Sequence, residues 1–330
     1  MKKIAIYLIL AIFFCPGICP AGGFSEHFIG INYGAYHYDG QHPGTPISPA
    51  QIKEDLGKIA NANFKYVRTF TVADGLDQVP LIAKTYYPNL RICLGVHENG
   101  CNHDETKGQL DLAIAVANSN NNVVAIVVGD ECLPGDARAE DCPVSVATLC
   151  GDLKYVRARV KSTVIATTNL TWGAAHDNHV AELKACSYID VWMINIYPFY
   201  NSPGAPTPDG IPCEEKPIRD NLDWNYKEFN RIYGDTGKQI LVGEHGWPSA
   251  GGNFGISHPG APCEQSYVHW TSRWFADNHW SCFYFEMFDE PWKLGEPGEI
   301  GPHWGLFDKD GKPKFELYWS GSRDLLLLSD

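Results

Sequence analysis

Two glutamates occupy the same kind of place in this sequence. Val123-Val124-Ala125-Ile126-Val127-Val128 runs into Gly129-Asp130-Glu131-Cys132, and Leu241-Val242-Gly243 runs into Glu244-His245-Gly246-Trp247-Pro248-Ser249. Each apolar run reads as a strand, so each delivers a carboxylate to a strand terminus with a turn behind it. Cleavage of a glycosidic bond with retention needs two carboxyl groups about 5 Å apart, one protonated as general acid and one ionised as nucleophile. Glu131 and Glu244 are the candidates for that pair. A lone Glu after an apolar run is more often a helix cap or a solvated residue, so the assignment rests on the elements that surround it.

Those elements repeat. Strand-like segments fall near residues 28–33, 64–70, 90–96, 123–128, 163–168, 188–196, 239–243 and 282–288. Amphipathic stretches lie between them. Ser48-Pro49 opens the first, with Ser as N-cap and Pro at the first helical position, and Ile52, Leu56 and Ile59 recur at helical spacing. Further helices are expected near 78–84, 106–117, 144–160, 174–185, 222–233 and 264–277, whereas the Gly- and Pro-rich sequence after Pro291 leaves the eighth weak or missing. Strand and helix in eightfold alternation predict an α/β fold, a single-domain (β/α)8 TIM barrel, whose active site lies at the C-terminal ends of the strands. An open doubly wound sheet would often show a glycine-rich phosphate loop, and none is present. Pro198 to Pro217 reads as a long ordered loop after the sixth strand, expected to build substrate subsites.

The chain has 330 residues, a normal length for one such barrel. Lys2 and Lys3 precede an apolar run from Ile4 to Phe14, and Cys19-Pro20-Ala21 offers a cleavage point, so residues 1–21 read as a signal peptide and 22–330 as the catalytic barrel. That run is too short for a transmembrane helix, which needs roughly 20 residues. A secreted protein, extracellular or periplasmic, is expected. Without Lys2 and Lys3 the balance is 24 basic against 39 acidic side chains, a net −15; nucleic acid and anionic membranes become poor partners, while a neutral polysaccharide is indifferent to it. We expect a monomer. Of the 11 cysteines, Cys15 and Cys19 fall in the signal segment, and the odd remainder leaves at least one without an intrachain partner. Cys93 and Cys282 sit in apolar runs and are expected reduced; Cys101, Cys132, Cys142, Cys213 and Cys263 lie in loop-like sequence, where a bridge such as Cys213 with Cys263 fits. No Cys/His cluster has zinc spacing, and His97, His103, His176 and His179 read as surface or pocket-wall residues.

Taken in order, the segments resemble glycoside hydrolase family 17, the β-1,3-glucanase and β-1,3-glucanosyltransferase family. Gly30-Ile31-Asn32-Tyr33-Gly34, Val67-Arg68-Thr69-Phe70 and Val128-Gly129-Asp130-Glu131 are similar to its first, second and fourth strands. Ile194-Asn195-Ile196-Tyr197-Pro198-Phe199 is similar to its sixth, Glu244 to Ser249 to its seventh, and Phe285 to Lys293 to its eighth. The resemblance implies Glu131 as acid/base and Glu244 as nucleophile, with no metal or organic cofactor. Arg68 as cation and Tyr197 as hydroxyl donor would keep Glu244 ionised. Glu286, Glu290 and Lys293 match an acidic and basic cluster that either binds sugar hydroxyls or forms a structural ion-pair network. Tyr33, Trp172, Trp292 and Trp304 are candidates to stack on sugar rings, and Trp247 is expected to pack in the core.

Two positions depart from the family pattern. Asp130 stands where Asn is usual and binds the sugar 2-hydroxyl; an ionised Asp only accepts hydrogen bonds, and the site would tolerate it best protonated or paired. On charge alone, Asp130→Asn is expected to preserve or raise activity. His245 stands where Thr is common, although its neighbour's face is normally the opposite one along a strand. The resulting expectation is a secreted retaining hydrolase of internal β-1,3-glucosidic bonds. A glucanosyltransferase with the same residues, or a catalytically impaired glucan-binding barrel, are the alternatives.

Overall fold

The computed structural model describes residues 23–136, 142–200, 210–295 and 297–317. The expected signal peptide and residues 201–209 of the proline-rich stretch after the sixth strand lie outside them. Eight parallel strands close on themselves in sequence order: β1 (Ile29–Asn32), β2 (Tyr66–Arg68), β3 (Arg91–Val96), β4 (Val123–Asp130), β5 (Ile165–Leu170), β6 (Trp192–Asn195), β7 (Ile240–His245) and β8 (Cys282–Tyr284). β8 pairs with β1 through Ile29 opposite Cys282 and Ile31 opposite Tyr284, which seals the barrel. The expected (β/α)8 architecture is therefore present.

Alternation along the strands makes two apolar layers. Phe28, Tyr66, Cys93, Ala125, Val127, Ile165, Met193, Leu241 and Phe283 fill the barrel interior. Ile92, Leu94, Val96, Ile126, Val128, Ile194 and Val242 point outward against the helices. Those helices are α1 (Pro49–Asn61), α2 (Val79–Tyr86), α3 (His103–Ser119), α4 (Val146–Arg157), α5 (Val180–Ala185), α6 (Glu215–Tyr233) and α7 (Ala261–Asp277). Ser48 caps α1 as expected, its side chain accepting from the Gln51 amide. Among the described residues no helix is long and apolar enough to cross a membrane.

Two elements differ from expectation, and the weakness of the eighth helix is as expected. α6 starts at Glu215, seven residues before 222, because Pro217 falls in the first turn, where a missing N–H costs nothing. The 174–185 helix is split into a π turn, Ala174–Asn178, and α5, with the break at His179. After β8 the eighth helix is replaced by short 3₁₀ turns at Pro291–Lys293, Pro297–Glu299 and Gly301–His303.

Disulfides join Cys101 to Cys142, Cys150 to Cys186 and Cys213 to Cys263. Cys93 and Cys282 are reduced and buried as expected, and so is Cys132, which lies in the loop after β4 yet packs as a hydrophobe. The Cys150–Cys186 bridge joins α4 to the end of α5, inside amphipathic sequence that gives no hint of a crosslink.

Candidate active site

The strand ends carry the polar residues that the interior excludes. Arg68, the last residue of β2, is fully buried and bridges two carboxylates: Nη1 donates to Glu244 Oε1 at 2.8 Å, and Nη2 lies 3.0 Å from Asp130 Oδ2. Burial alone would lower the guanidinium pKa, but Asp130 and Glu244 reverse that and raise it. This is no surface ion pair; a cation so enclosed is stable only because it is paired. Asn32 at the end of β1 accepts a further bond from Nη1 at 3.1 Å.

Glu244 is displayed by a local irregularity. The β7–β8 register shifts between Val242 and His245. Consecutive residues Gly243 and Glu244 thus both reach the barrel mouth, while His245 turns out towards α7 and meets the Tyr267 hydroxyl at 3.1 Å. Burial lowers the His245 pKa to about 3, so the imidazole stays neutral through the range in which a glycosidase works. Besides Arg68, Glu244 accepts from the Tyr197 hydroxyl at 2.6 Å and from Asn169 Nδ2 at 3.2 Å. The roles expected for Arg68 and Tyr197, cation and hydroxyl donor to Glu244, coincide with these contacts.

Glu131 follows directly on β4, with its backbone in the left-handed region at φ 48° and its amide donating to the Asn169 carbonyl at 3.1 Å. Left-handed non-glycine residues are costly and gather at functional sites. Asn195 Nδ2 donates to Glu131 Oε1 at 2.6 Å, and Asn195 Oδ1 accepts from Asn169 Nδ2 at 2.8 Å. Asn169 and Asn195 therefore link the two glutamates. Asn169 is absent from the sequence-derived site; its one signal is an amide next to the end of the strand Ile165–Leu170, where Thr167 and Thr168 already interrupt the apolar run.

Asp130 is paired. Oδ1 accepts from Asn169 Nδ2 at 2.6 Å, and Oδ2 faces Arg68. Two donors thus converge on the two oxygens, a pattern that Asn cannot reproduce because one of its atoms is itself a donor. The geometry argues against the gain expected from charge alone. Asp130→Asn should lower kcat/KM at its optimum by about tenfold, the order of one mismatched buried hydrogen bond. Loss of an anion next to Glu244 should also move both limbs of the pH profile to lower pH, since nearby carboxyls then ionise more readily. A pH profile of kcat/KM checks both, and unmoved limbs would exclude electrostatic coupling.

A cavity of about 700 Å³ opens over this network, lined among others by Tyr36, Phe70, Glu98, Asp130, Glu131, Glu290, Trp292 and Lys293. Glu244 is nearly fully buried and is joined to the lining through Arg68, which also pairs with the lining residue Asp130. Lys293 Nζ lies 2.6 Å from Glu286 Oε1 and 2.7 Å from Glu290 Oε2, and all three side chains are buried. Burial drives the Glu286 pKa well up, with Lys293 only partly opposing it. At Glu290 burial is outweighed by Lys293 and by a hydrogen bond from Glu286, which lower it. The cluster is a buried ion-pair network that turns Glu290 and Lys293, but not Glu286, to the cavity. Burial and Asp152 push the Glu98 carboxyl up to about 8.

The aromatic candidates separate. Tyr33 borders the cavity, with its ring buried edge-on to Phe288 and its hydroxyl donating to Asp55 at 2.7 Å. Trp304 is packed against Tyr197 and Phe285. Trp172 lies apart from the cavity lining, stacked on His176 at 4.0 Å with its indole N–H donating to Asn225. Trp292, 37% exposed, remains on the cavity wall. Trp247 packs in the core as expected.

Carboxylates carried by the fourth and seventh strands to a sugar-sized cavity define a barrel glycoside hydrolase. The chain belongs to the BtgE/BtgC glycoside hydrolase domain family, whose model matches residues 30–305. It is 25% identical over 311 residues, 90% of this chain and 92% of the other, to a glucan 1,3-beta-glucosidase of Arthroderma benhamiae. It is 23% identical over 85% of its length to a probable family 17 glucosidase, SCW10, of Saccharomyces cerevisiae, of which it spans 65%. These relatives bear out the resemblance to glycoside hydrolase family 17. The fold is shared with an endo-laminarinase from Formosa Hel1_33_131, at TM-score 0.73 and 21% identity over 87% of this chain and 84% of that one.

Proposed function

We propose that this protein is a secreted, monomeric, retaining hydrolase of internal β-1,3-glucosidic bonds in β-glucans, with Glu244 as nucleophile and Glu131 as acid/base. The donors around Glu244 carry the reading. Glu244 faces a guanidinium, a phenol and an amide, donors that favour the ionised carboxylate. Arg68 serves Glu244 and Asp130 together, and Glu131, on the cavity wall, accepts from the amide of Asn195. A carboxyl placed so can keep a proton for the leaving oxygen and afterwards take one from water. Glu244 attacks the anomeric carbon as Glu131 protonates the departing glycosidic oxygen. Glu131, now a carboxylate, next deprotonates the water that releases the sugar and restores Glu244. Glu290, Lys293 and Trp292 line the cavity where hydroxyls and an apolar sugar face would be bound.

Incubation with a linear β-1,3-glucan oligosaccharide, with products sized over time by mass spectrometry, tests the reading. Shorter products alone are expected. Products longer than the input would make the protein a glucanosyltransferase, and binding without any product would make it a non-catalytic glucan-binding barrel.

A further inference from the structure

Outside the catalytic network, the loop after β3 and the start of α3 bring two side chains, Glu98 and His103, up to a third on α4, Asp152. One ligand atom each from Glu98, His103 and Asp152 lies within 4.8 Å of the other two. Glu98 is only 4% exposed, yet neither of its carboxylate oxygens has a hydrogen-bond partner, and Asp152 Oδ2 has none either. Buried polar atoms are nearly always partnered, carboxylates above all. His103 does not answer this need: its Nε2 lies 3.6 Å from Asp152 Oδ1, and its side chain is 52% exposed.

We propose that Glu98, His103 and Asp152 form a zinc-class divalent cation site that clamps the loop after β3 to α4. Two carboxylates and an imidazole are suitable ligands for such an ion, with water completing the shell. Bonds of about 2.1 Å in a tetrahedron separate ligand atoms by roughly 3.4 Å. The 4.8 Å set must therefore contract, and the exposed imidazole on the first residue of α3 is the part free to move. The backbone that carries the ligands is already fixed: Cys101, between Glu98 and His103, is bridged to Cys142, and the Gly100 amide donates to the Cys142 carbonyl at 3.0 Å. The two carboxylates, electrostatically opposed without a cation, then share one. Because Glu98 also lines the cavity that holds Glu131, the clamp stiffens the cavity wall without touching the glycosidic bond, and the proposal does not depend on the glucan reading.

Chelator-treated, dialysed protein titrated with zinc chloride by calorimetry, alongside thermal unfolding with and without zinc, tests this. One zinc per chain at micromolar or tighter affinity, with a raised Tm, is expected. Glu98→Gln and Asp152→Asn should each weaken binding at least tenfold. His103→Ala, at an exposed residue, keeps the test decisive if the buried variants fail to fold: it should weaken zinc binding at least tenfold, remove the Tm shift and leave the fold of the zinc-free protein unchanged. Absence of saturable zinc binding, or affinity that His103→Ala leaves within twofold, would overturn the site.

Discussion

Glu244→Ala is expected to lower kcat/KM on β-1,3-glucan by at least about 10⁴-fold, some 5.4 kcal/mol of barrier at 1.36 kcal/mol per tenfold. Retention requires a covalent intermediate, and no other carboxylate replaces this one: Asp130 shares Arg68 with it but is held in place by Asn169. The variant should fold, because Arg68 keeps Asp130 and Asn32 as partners. With a substrate bearing a good leaving group, azide should enter the space left by the carboxylate and restore turnover, giving a glycosyl azide of inverted anomeric configuration. Near-normal rates on polysaccharide without azide would remove Glu244 from the mechanism.

Arg68→Met carries the other large effect. Breaking a buried ion pair by removing one partner costs about 3–5 kcal/mol, because the remaining charge is left uncompensated. Here one guanidinium serves two carboxylates, so a loss at the upper end of that range is expected from urea unfolding at neutral pH. Asp130 and Glu244 hold the proton on Arg68, and by reciprocity Arg68 holds them ionised. The deficit should therefore shrink as pH falls and the carboxyls become protonated in both proteins. Activity should be lost together with stability, since a nucleophile deprived of its cation ionises less readily. A variant as stable as its parent at neutral pH would mean that the network tolerates both negative charges without their counterion.

Much of this was readable before any coordinates. Strand spacing discloses the barrel, the two glutamates stand out as carboxylates that end apolar runs, and Arg68 and Tyr197 follow from the family resemblance. What stayed hidden depends on contacts between distant segments. Asn169 looks like any residue at a strand end until β4, β6 and β7 surround it. Tyr33 is visible as an aromatic residue at a strand end, but the bond of its hydroxyl to Asp55 on α1 depends on a helix that the local sequence does not place. Cys132 sits in a sequence rich in turns yet packs inside, beside Glu98 and Gly129. The closed Glu286–Lys293–Glu290 network also depends on side-chain direction, which a single sequence does not encode locally.

Gly243 has a consequence for how this barrel can vary. A β-carbon there would lie 1.7 Å from Asn169 Oδ1 and 3.1 Å from Asn195 Oδ1. Even alanine would thus displace the two amides through which Glu131 and Glu244 are joined. In a library of all substitutions, this position should be as intolerant as the nucleophile beside it, although it has no side chain, carries no charge and makes no bond to substrate. Intolerance to mutation at position 243 would then be a record of steric exclusion, and ranking residues by intolerance alone would mistake a gap in the wall for a participant in the chemistry.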